Sequence, residues 1–288
     1  MGCAACAGLI KDLAGEETFV RLRLQEASAL PLEADAIRPD LFATLDNDQI
    51  KALPAYRGRR QTTLGELFEI RGEYSDSVLV EGDLGRVKRL GEGMAGGRLE
   101  VRGTVGAHLG AGMLGGDILV AGDAGDYAGA HMQGGVIRIL GNAGHRVGGA
   151  YPGHPKGMNR GTIIIDGQAG IEAGSNMRRG LVVVRGDVGD FAGVGMISGT
   201  LLVFGRLGRR TGAGNKRGSI VAFGEAPEML PTYRLACAYT PVYLGYFLTW
   251  LRRFGLDLPK GLEKSRYRRY LGDFNVQAKG EILVRDPT

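Results

Sequence analysis

Three consecutive stretches of 19 residues decide the fold: GQAGIEAGSNMRRGLVVVR (167–185), GDVGDFAGVGMISGTLLVF (186–204) and GRLGRRTGAGNKRGSIVAF (205–223). Each begins with the pattern G-x-x-G-x-x-x-G and contains a short apolar run. A fixed period of this kind is typical of repeat architectures, in which each copy packs against its neighbours.

The glycine pattern occurs six times without a break. Its first glycines are Gly103, Gly122, Gly141, Gly167, Gly186 and Gly205. Its second glycines are Gly106, Gly125, Gly144, Gly170, Gly189 and Gly208. Its third glycines are Gly110, Gly129, Gly148, Gly174, Gly193 and Gly212. We predict that all of them have a structural role in the repeat.

The period is regular along most of the repeat. With a degenerate first copy and a truncated last copy included, the leading glycines stand at positions 82, 103, 122, 141, 167, 186, 205 and 224, so the spacings are 21, 19, 19, 26, 19, 19 and 19 residues. One interval therefore contains an insertion of seven residues. This pattern predicts about seven stacked coils over residues 78–225.

Each copy also carries a short strand. Apolar residues stand four and two positions before each leading glycine, with variable residues between them. The first apolar column is Val78, Leu99, Ile118, Ile137, Ile163, Val182, Leu201 and Ile220, and the second is Val80, Val101, Val120, Ile139, Ile165, Val184, Val203 and Ala222. Alternation with a period of two predicts a β-strand with one buried face.

Six of the eight methionines share one register, three residues before the glycine that precedes each strand. They are Met94, Met113, Met132, Met158, Met177 and Met196, and Asn215 takes the equivalent position in the last coil. Thioethers are ligands for Cu(I), but flexible apolar side chains also fill gaps beside glycine-rich turns. A ladder that runs the whole length of the repeat favours a core stack, because a metal site needs only two to four ligands.

A copy of 19 residues cannot bury its strand alone, so the copies must stack. We predict an all-β protein in which residues 78–225 form a right-handed parallel β-helix of about seven glycine-rich coils. The glycines would permit sharp turns and close approach of neighbouring coils. Short α/β segments, an N-terminal flank (1–77) and a C-terminal helix with a capping tail (226–288), would cover the two ends.

The flanks do not follow the repeat. In the N-terminal flank we predict a strand over 18–24, short helical turns over 40–53 and a strand or helix over 64–70. In the C-terminal flank, Thr240-Pro241 predicts the start of a helix, and a short strand is predicted over 281–284. The helix carries apolar residues at helical spacing: Val242, Tyr243, Tyr246, Phe247, Trp250, Leu251 and Phe254. This stripe favours packing onto the repeat over a groove for a partner.

The outward positions of the later coils are also apolar. They are Ile164, Val183, Leu202 and Val221, with Phe204 and Phe223 beside them. An exposed apolar stripe of this size is covered either by another part of the chain or by another protein. The sequence leaves both alternatives open.

The composition excludes several classes of protein. The 288 residues include 44% hydrophobic residues and 50 glycines at a net charge of +5, which excludes disorder, and the lack of a Gly-X-Y period excludes collagen. No apolar run is long enough to span a membrane, and the first residues lack the features of a secretory signal. Basic residues are spread along the chain. We therefore expect a cytoplasmic protein that binds neither membranes nor nucleic acid.

No catalytic or metal constellation is evident. Cys3 and Cys6 have redox-like spacing, but with Cys237 they are too few for an iron–sulfur cluster. The histidines occupy four different registers of the repeat, which argues against a three-histidine zinc site. They are His108, His131, His145 and His154.

Acidic and amide residues follow several leading glycines, as in an acidic ladder of a polysaccharide enzyme. They are Asp83, Asp123, Asn142 and Asp187. We interpret them as turn residues that bond their own backbone, because Asp and Asn commonly do so. We expect no catalytic residue and no metal ligand, and so no active site in this chain.

Residues 149–159 (GAYPGHPKGMN) contain the insertion, and such an excursion is a natural place for a specific contact. Basic residues in the insertion and at the coil corners form a candidate patch: Lys156, Arg160, Arg178, Arg179, Arg209, Arg210, Lys216 and Arg217. The alternative is that they are ordinary solvated corners. The expected guest of such a patch is an anionic ligand or an acidic partner surface.

The repeat and the flanks together resemble a known family. The 19-residue G-x-x-G-x-x-x-G coils resemble the β-helical domain shared by the C subunit of formylmethanofuran dehydrogenase and the C-terminal part of the large subunit of glutamate synthase. The flanking segments PLEADAIRPD (31–40), LGELFEI (64–70), YRRYLGDF (267–274) and KGEILV (279–284) are similar to that C subunit. The family includes archaeal tungsten or molybdenum dehydrogenases and the formyltransferase/hydrolase complex of methylotrophic bacteria, and the Arg-, Ala- and Gly-rich usage favours the bacterial complex.

This resemblance implies a complex of A, B, C and D subunits in one-carbon metabolism that oxidises formaldehyde to formate. The D subunit would transfer the formyl group between tetrahydromethanopterin and a methanofuran-type carrier, and the A subunit, similar to amidohydrolases, would release formate. The C subunit has no known catalytic residue in this family, so the resemblance implies a structural role, no tightly bound cofactor, and the A, B and D subunits as partners. The carrier's polyglutamate tail would be an anionic guest for the basic corners.

Three alternatives remain open. The chain would be the C subunit of a tungsten or molybdenum dehydrogenase if the complex contains that metal. A glutamate-synthase-type domain would associate with amidotransferase and flavin domains. A β-helix enzyme that acts on carbohydrate would present a groove of clustered carboxylates.

Overall fold

A computed structural model describes residues 19–27, 29–225 and 227–286, and within them the protein is mostly β. The strands are β1 (Val20–Leu24), β2 (Leu32–Glu33), β3 (Pro54–Arg57), β4 (Arg60–Thr63), β5 (Phe68–Arg71), β6 (Ser77–Glu81), β7 (Val87–Lys88), β8 (Arg98–Arg102), β9 (Asp117–Val120), β10 (Val136–Ile139), β11 (Thr162–Ile165), β12 (Leu181–Val184), β13 (Thr200–Val203), β14 (Ser219–Ala222), β15 (Arg234–Tyr239), β16 (Tyr267–Gly272) and β17 (Gly280–Arg285). The helices are α1 (Pro39–Phe42), α2 (Asn47–Ala52), α3 (Leu64–Leu67), α4 (Val242–Arg253) and a 3₁₀ helix at Leu262–Lys264.

Most of the strands form one large sheet. Its thirteen strands have the order β15-β16-β17-β14-β13-β12-β11-β10-β9-β8-β6-β1-β5. All neighbours from β1 to β17 within this order are parallel. Strands β5, β15 and β16 are added antiparallel at the edges. Strands β4, β3, β2 and β7 form a separate small sheet. The predicted β class with a large parallel sheet is confirmed, and the sheets are open.

The register of the parallel strands follows the 19-residue period. Ile163 pairs with Val182, which pairs in turn with Leu201. The second column pairs in the same way, from Ile165 to Val184. The side chains of both columns are fully buried. The inner face predicted from the alternation is therefore confirmed.

The coils also contact one another outside the strands. A single-residue parallel bridge joins consecutive coils two residues past each leading glycine, as between Ala169 and Val188. The third glycine of the pattern donates its N–H to the preceding coil, and Gly193 does so to the carbonyl oxygen of Ala173 at 2.8 Å. Backbone hydrogen bonds therefore hold the stack at several places around each coil.

The first and second glycines of the pattern lie where neighbouring coils approach closely. A Cβ atom at Gly186 would lie 2.6 Å from the carbonyl oxygen of Gly167 in the preceding coil, so no side chain fits between the two backbones. At all six second glycines, a Cβ would lie 2.6 to 2.9 Å from a backbone atom of the preceding coil. These six are Gly106, Gly125, Gly144, Gly170, Gly189 and Gly208.

The third glycine of the pattern is required for a different reason. Gly193 has a φ of +67°, and its Cβ would lie 2.7 Å from Cδ1 of Ile220. All six third glycines share this left-handed backbone beside the core, which glycine adopts without a steric penalty. They are Gly110, Gly129, Gly148, Gly174, Gly193 and Gly212.

The six methionines of the column are fully buried. Each methyl group lies beside the glycine that precedes the strand of the next coil. A Cβ at Gly180 would lie 2.8 Å from Cε of Met158, and one at Gly199 would lie 3.1 Å from Cε of Met177. A long side chain in one coil is therefore accommodated by the absence of a side chain in the next.

Asn215 ends this column in the last coil. Its Oδ1 accepts a hydrogen bond from the N–H of Gly218 at 2.7 Å, and its Nδ2 donates to the carbonyl oxygen of Gly218 at 2.9 Å. The side chain is fully buried, and both halves of its amide are satisfied within its own turn. Asn215 therefore reaches no farther than its own coil.

The flanks continue the sheet at both ends of the repeat. β1 pairs in parallel with β6, and β17 pairs in parallel with β14. Residues 64–70, predicted as a strand or a helix, contain both, because α3 passes directly into β5. The predicted strand over 18–24 is observed as β1, and residue 18 lies outside the described residues. The domain boundaries at 78 and 226 remain predictions.

We predict that Gly186→Ala lowers the free energy of unfolding by about 1–3 kcal/mol, because the new methyl group meets the backbone of the preceding coil. Gly96→Ala is the matched control, since a Cβ there has nothing within 4 Å. Urea unfolding of the full chain, followed by circular dichroism, measures both. Equal unfolding midpoints for the two variants would contradict the close-approach explanation.

Candidate functional site

The residues of the predicted basic patch lie at different turns of the coils. Five of them stand one or two residues before the glycines that precede the strands, and we call these five the strand-start corner: Arg160, Arg178, Arg179, Lys216 and Arg217. Their backbones stack coil on coil. The N–H of Arg178 donates to the carbonyl oxygen of Met158 at 2.8 Å, and the N–H of Lys216 donates to that of Met196 at 2.8 Å.

The cations of this corner lack acidic partners in the part of the chain that the structure describes. Arg160, Arg178, Arg179 and Lys216 form no ion pair there. Nε of Arg217 donates to the neutral Oε1 of Gln277 at 3.2 Å. Since successive coils are about 4.8 Å apart, the five positive charges lie along about 15 Å of the stack.

The other three basic residues lie elsewhere. Lys156 is exposed in the insertion. Arg209 and Arg210 follow the second glycine of the last full pattern, at another turn of the coil, and the Arg210 guanidinium lies 5.4 Å from the centroid of the Phe191 ring. The structure therefore brings five of the eight predicted residues to one corner.

The insertion folds back onto two earlier coils through Tyr151. Its N–H donates to Nε2 of His131 at 3.0 Å, and its hydroxyl lies 2.9 Å from Nδ1 of His108. The rings of Tyr127 and Tyr151 are 5.2 Å apart, and those of His131 and His154 are 5.0 Å apart. Three histidines that occupy different registers are thus brought together by the insertion, which register alone does not reveal.

The histidines of this cluster favour the neutral form. Burial lowers the pKa of His131, and the neighbouring His154 lowers it further. Burial and the charge of Arg89 likewise lower the pKa of His108. A neutral His131 can keep Nε2 free of a proton, which acceptance of the Tyr151 N–H requires. The cluster therefore anchors the insertion through a titratable group.

We predict that acidification releases the insertion. The folded-state pKa of His131 is lower than its ordinary value of about 6.5, so docking is stabilised above that pH and is lost as the pH falls through the lowered pKa. Amide hydrogen exchange at residues 150–157, corrected for intrinsic rates, should be faster at pH 5 than at pH 7.5.

His131→Gln is the matched control for this prediction. Its amide oxygen can accept the Tyr151 N–H but does not titrate, so the pH dependence should disappear. The coil at 186–204 contains no histidine and provides an internal reference. Equal protection of the insertion at both pH values in the unsubstituted chain would rule out the histidine anchor.

The polar residues after the leading glycines bond the next coil, which corrects the prediction that they bond their own turn. Oδ1 of Asp123 accepts from the N–H of Asn142 at 2.6 Å, and Oδ1 of Asn142 accepts from the N–H of Gln168 at 2.9 Å. Oδ1 of Asp187 accepts from the N–H of Arg206 at 2.8 Å, and these contacts with Arg206 lower the pKa of Asp187. Parallel stacking places the equivalent N–H of the next coil beside each side chain.

Of the remaining candidate residues, Cys237 is exposed and free, whereas Cys3 and Cys6 lie outside the described residues. Nδ1 of His145 accepts from the N–H of Ile171 in the next coil at 3.1 Å. Within residues 19–27, 29–225 and 227–286, no group of three or more His, Cys, Asp or Glu side chains could hold a metal ion.

The C-terminal tail covers the outer apolar stripe, which decides between the two alternatives left open by the sequence. Helix α4 packs on the stripe through Leu244, Leu248 and Leu251. Other tail residues in this cluster are Leu256, Leu258, Leu262, Tyr267 and Leu283. The aromatic stripe predicted to make this contact is only partly buried, and Val242 and Tyr246 are 88% and 74% exposed. Leucines with spacings of four and three were the overlooked signal.

Polar contacts fix α4 at both ends, so that it runs along the stack. Near its start, Glu281 accepts hydrogen bonds from the Tyr243 hydroxyl at 3.3 Å and from the Ser219 hydroxyl at 2.7 Å. At its end, the guanidinium of Arg138 donates to the carbonyl oxygen of Phe254 at 3.0 Å. Ser219 begins β14 and Arg138 lies in β10, so α4 extends across five coils.

A groove of about 310 Å³ lies between α4 and the starts of two strands. It is lined by Gly161, Thr162, Gly180, Leu181, Tyr246, Phe247 and Trp250, and we call it the α4 groove. Gly161 and Gly180 directly follow Arg160 and Arg179 in the chain. The groove is therefore adjacent to the strand-start corner.

The whole fold is similar to a chain of a solved complex, the formyltransferase/hydrolase complex of Methylorubrum extorquens determined with methylofuran. The TM-score is 0.86 and the sequence identity 35%, and the match covers 93% of this chain and 100% of that one. The chain belongs to the family of the formylmethanofuran dehydrogenase C subunit. The predicted family is therefore confirmed, and the basic corner, the docked insertion and the α4 groove are features of a C-subunit fold.

Curated relatives with this subunit name align over parts of the chain. The C subunit of the M. extorquens formyltransferase/hydrolase complex is 37% identical over 73 residues, which are 25% of this chain and 28% of that protein. The C subunit of the molybdenum-containing formylmethanofuran dehydrogenase 1 of Methanothermobacter thermautotrophicus is 46% identical over 82 residues, 28% and 20% of the two chains. The Methanosarcina barkeri counterpart is 39% identical over 101 residues, 33% and 34%.

The aligned stretches thus span about a fifth to a third of the length of these curated relatives. No family model matches the chain. Among the described residues, none of the helices has the length and apolar character that a membrane crossing requires.

Proposed function

We propose that this chain is the C subunit of a cytoplasmic formyltransferase/hydrolase complex, where it acts as a structural scaffold for the A, B and D subunits. The complex would transfer the formyl group of formyl-tetrahydromethanopterin to a methanofuran-type carrier and hydrolyse it to formate. The observation that carries this proposal is the match over the full length of a chain from such a complex, at 35% identity.

The chemistry of the stack supports a scaffold. The carboxylates of Asp123 and Asp187, which an enzyme acting on carbohydrate would need in a groove, accept backbone hydrogen bonds from the next coil. Repeat proteins present extended surfaces on a rigid core, and such surfaces suit the simultaneous binding of several partners. In this proposal the chain positions other subunits and binds no cofactor tightly.

We further propose that the coils close into the predicted right-handed parallel β-helix. Support comes from coil-to-coil hydrogen bonds at three separated places: the strands, the single-residue bridges and the third glycine of each pattern. Residues 1–77 and 226–288 act as caps in this arrangement, since β1 and β17 extend the stack in parallel.

Affinity purification of the tagged full chain from its own host tests the scaffold proposal. We expect subunits related to an amidohydrolase and to a formyltransferase to co-purify, with formyl transfer to a methanofuran-type carrier in the eluate. The host without the tag is the control. A chain recovered alone and monomeric would contradict the proposal.

Metal analysis of the same eluate tests the dehydrogenase alternative, which is favoured by the relatives named as molybdenum- or tungsten-containing formylmethanofuran dehydrogenases. The hydrolase complex predicts no stoichiometric molybdenum or tungsten. Either metal at about one atom per complex would assign the chain to a dehydrogenase instead.

A further inference from the structure

We propose that the α4 groove and the strand-start corner together bind an extended acidic segment of a partner subunit, which inserts one large apolar side chain beside Trp250. The inference rests on the proposed function, since it requires a partner subunit. It goes beyond that function by naming the docking surface and the chemistry of its occupant.

The groove has the size and lining of a side-chain pocket. At about 310 Å³ it lies at the lower end of ligand-sized cavities, so it suits one large side chain. One wall is formed by Tyr246, Phe247 and Trp250, and the other by the starts of β11 and β12. Gly161 and Gly180 carry no side chains to obstruct that wall.

The aromatic face beside the groove is not needed to attach α4 to the stack. Leu244, Leu248 and Leu251 make that contact from the other side of the helix. Val242 and Tyr246, one helical turn apart, are 88% and 74% exposed. Aromatic residues at the edge of a pocket are typical of interface hot spots, whereas an isolated chain gains nothing by exposing them.

The strand-start corner determines the charge of the occupant. Arg160, Arg178 and Arg179 are exposed, immediately precede the groove residues and have no ion-pair partner among the described residues. An extended chain advances about 3.4 Å per residue, so the roughly 15 Å of this corner correspond to about five residues. Two or more carboxylates within such a segment would pair with these cations.

The same observations argue against two other occupants. A polyglutamate tail supplies carboxylates but has no apolar side chain for the groove. A second copy of this chain, placed with the same surface against itself, would bring cation against cation. An acidic partner segment with one large apolar residue satisfies both halves of the surface.

Trp250 is the single tryptophan of the chain, so its fluorescence reports on the groove. The full chain is titrated with the acetylated peptides Asp-Glu-Phe-Glu-Asp and Asp-Glu-Ala-Glu-Asp, and with hexaglutamate. We expect saturable binding of the first peptide with a shift in Trp250 emission, and binding at least about tenfold weaker for the other two. Hexaglutamate binding as tightly as the first peptide would overturn the proposal in favour of the carrier's tail, and no saturable binding of the first peptide would also overturn it.

Charge-reversed variants locate the site. The double variant Arg178→Glu with Arg179→Glu should weaken binding at least about tenfold, and Tyr246→Ala should do so as well. The double variant Arg209→Glu with Arg210→Glu makes the same change in net charge at another turn, and it should leave the affinity within about twofold. Equal losses from the two double variants would indicate nonspecific attraction and overturn the assignment.

Cross-linking in the purified complex then identifies the occupant. Tyr246→p-benzoylphenylalanine should cross-link to a partner subunit at a large apolar residue with at least two acidic residues within five positions. A cross-link to a non-acidic segment, or none in an assembled complex, would overturn the inference. If the unsubstituted chain assembles no complex, the proposed function fails, while the peptide titration still reports on the surface independently.

Discussion

Backbone-to-backbone contact between successive coils is the constraint on which the rest of this structure depends. The carbonyl oxygen of Gly167 comes so close to Gly186 that no side chain can stand between them. Hydrogen bonds between equivalent residues then require every coil to have the same path. Sequence variation is therefore confined to positions that point into the core or out of the corners.

The columns along the stack are consequences of this repeated path. The methyl group of Met158 occupies the space that Gly180 leaves free. Asp123 accepts a backbone hydrogen bond from the residue that follows it by one period. In both cases one residue type is required because of what the next coil places beside it. The repeat is thus a set of mutual requirements between neighbouring coils, and the two flanks meet them at its ends.

Sequence could predict whatever the period controls, and it failed where contacts leave the period. The buried columns were predictable because Ile163, Val182 and Leu201 recur at one register and pair directly. The docking of Tyr151 on two histidines was not, because an insertion that folds back across coils has no repeated partner. The buried face of α4 was missed because larger aromatic side chains obscured the leucine spacing. The coil-to-coil bond of Asp123 depends on stacking that a single turn does not reveal.

Asn215 has a consequence for how the length of the stack is set. Each methionine prepares a site for one further coil, whereas Asn215 closes its amide on Gly218 and prepares none. Growth by duplication of whole 19-residue units is therefore compatible with the interior of the repeat and incompatible with its last coil. The number of coils is written into the chain by one terminating residue, so evolution can lengthen this protein only from within.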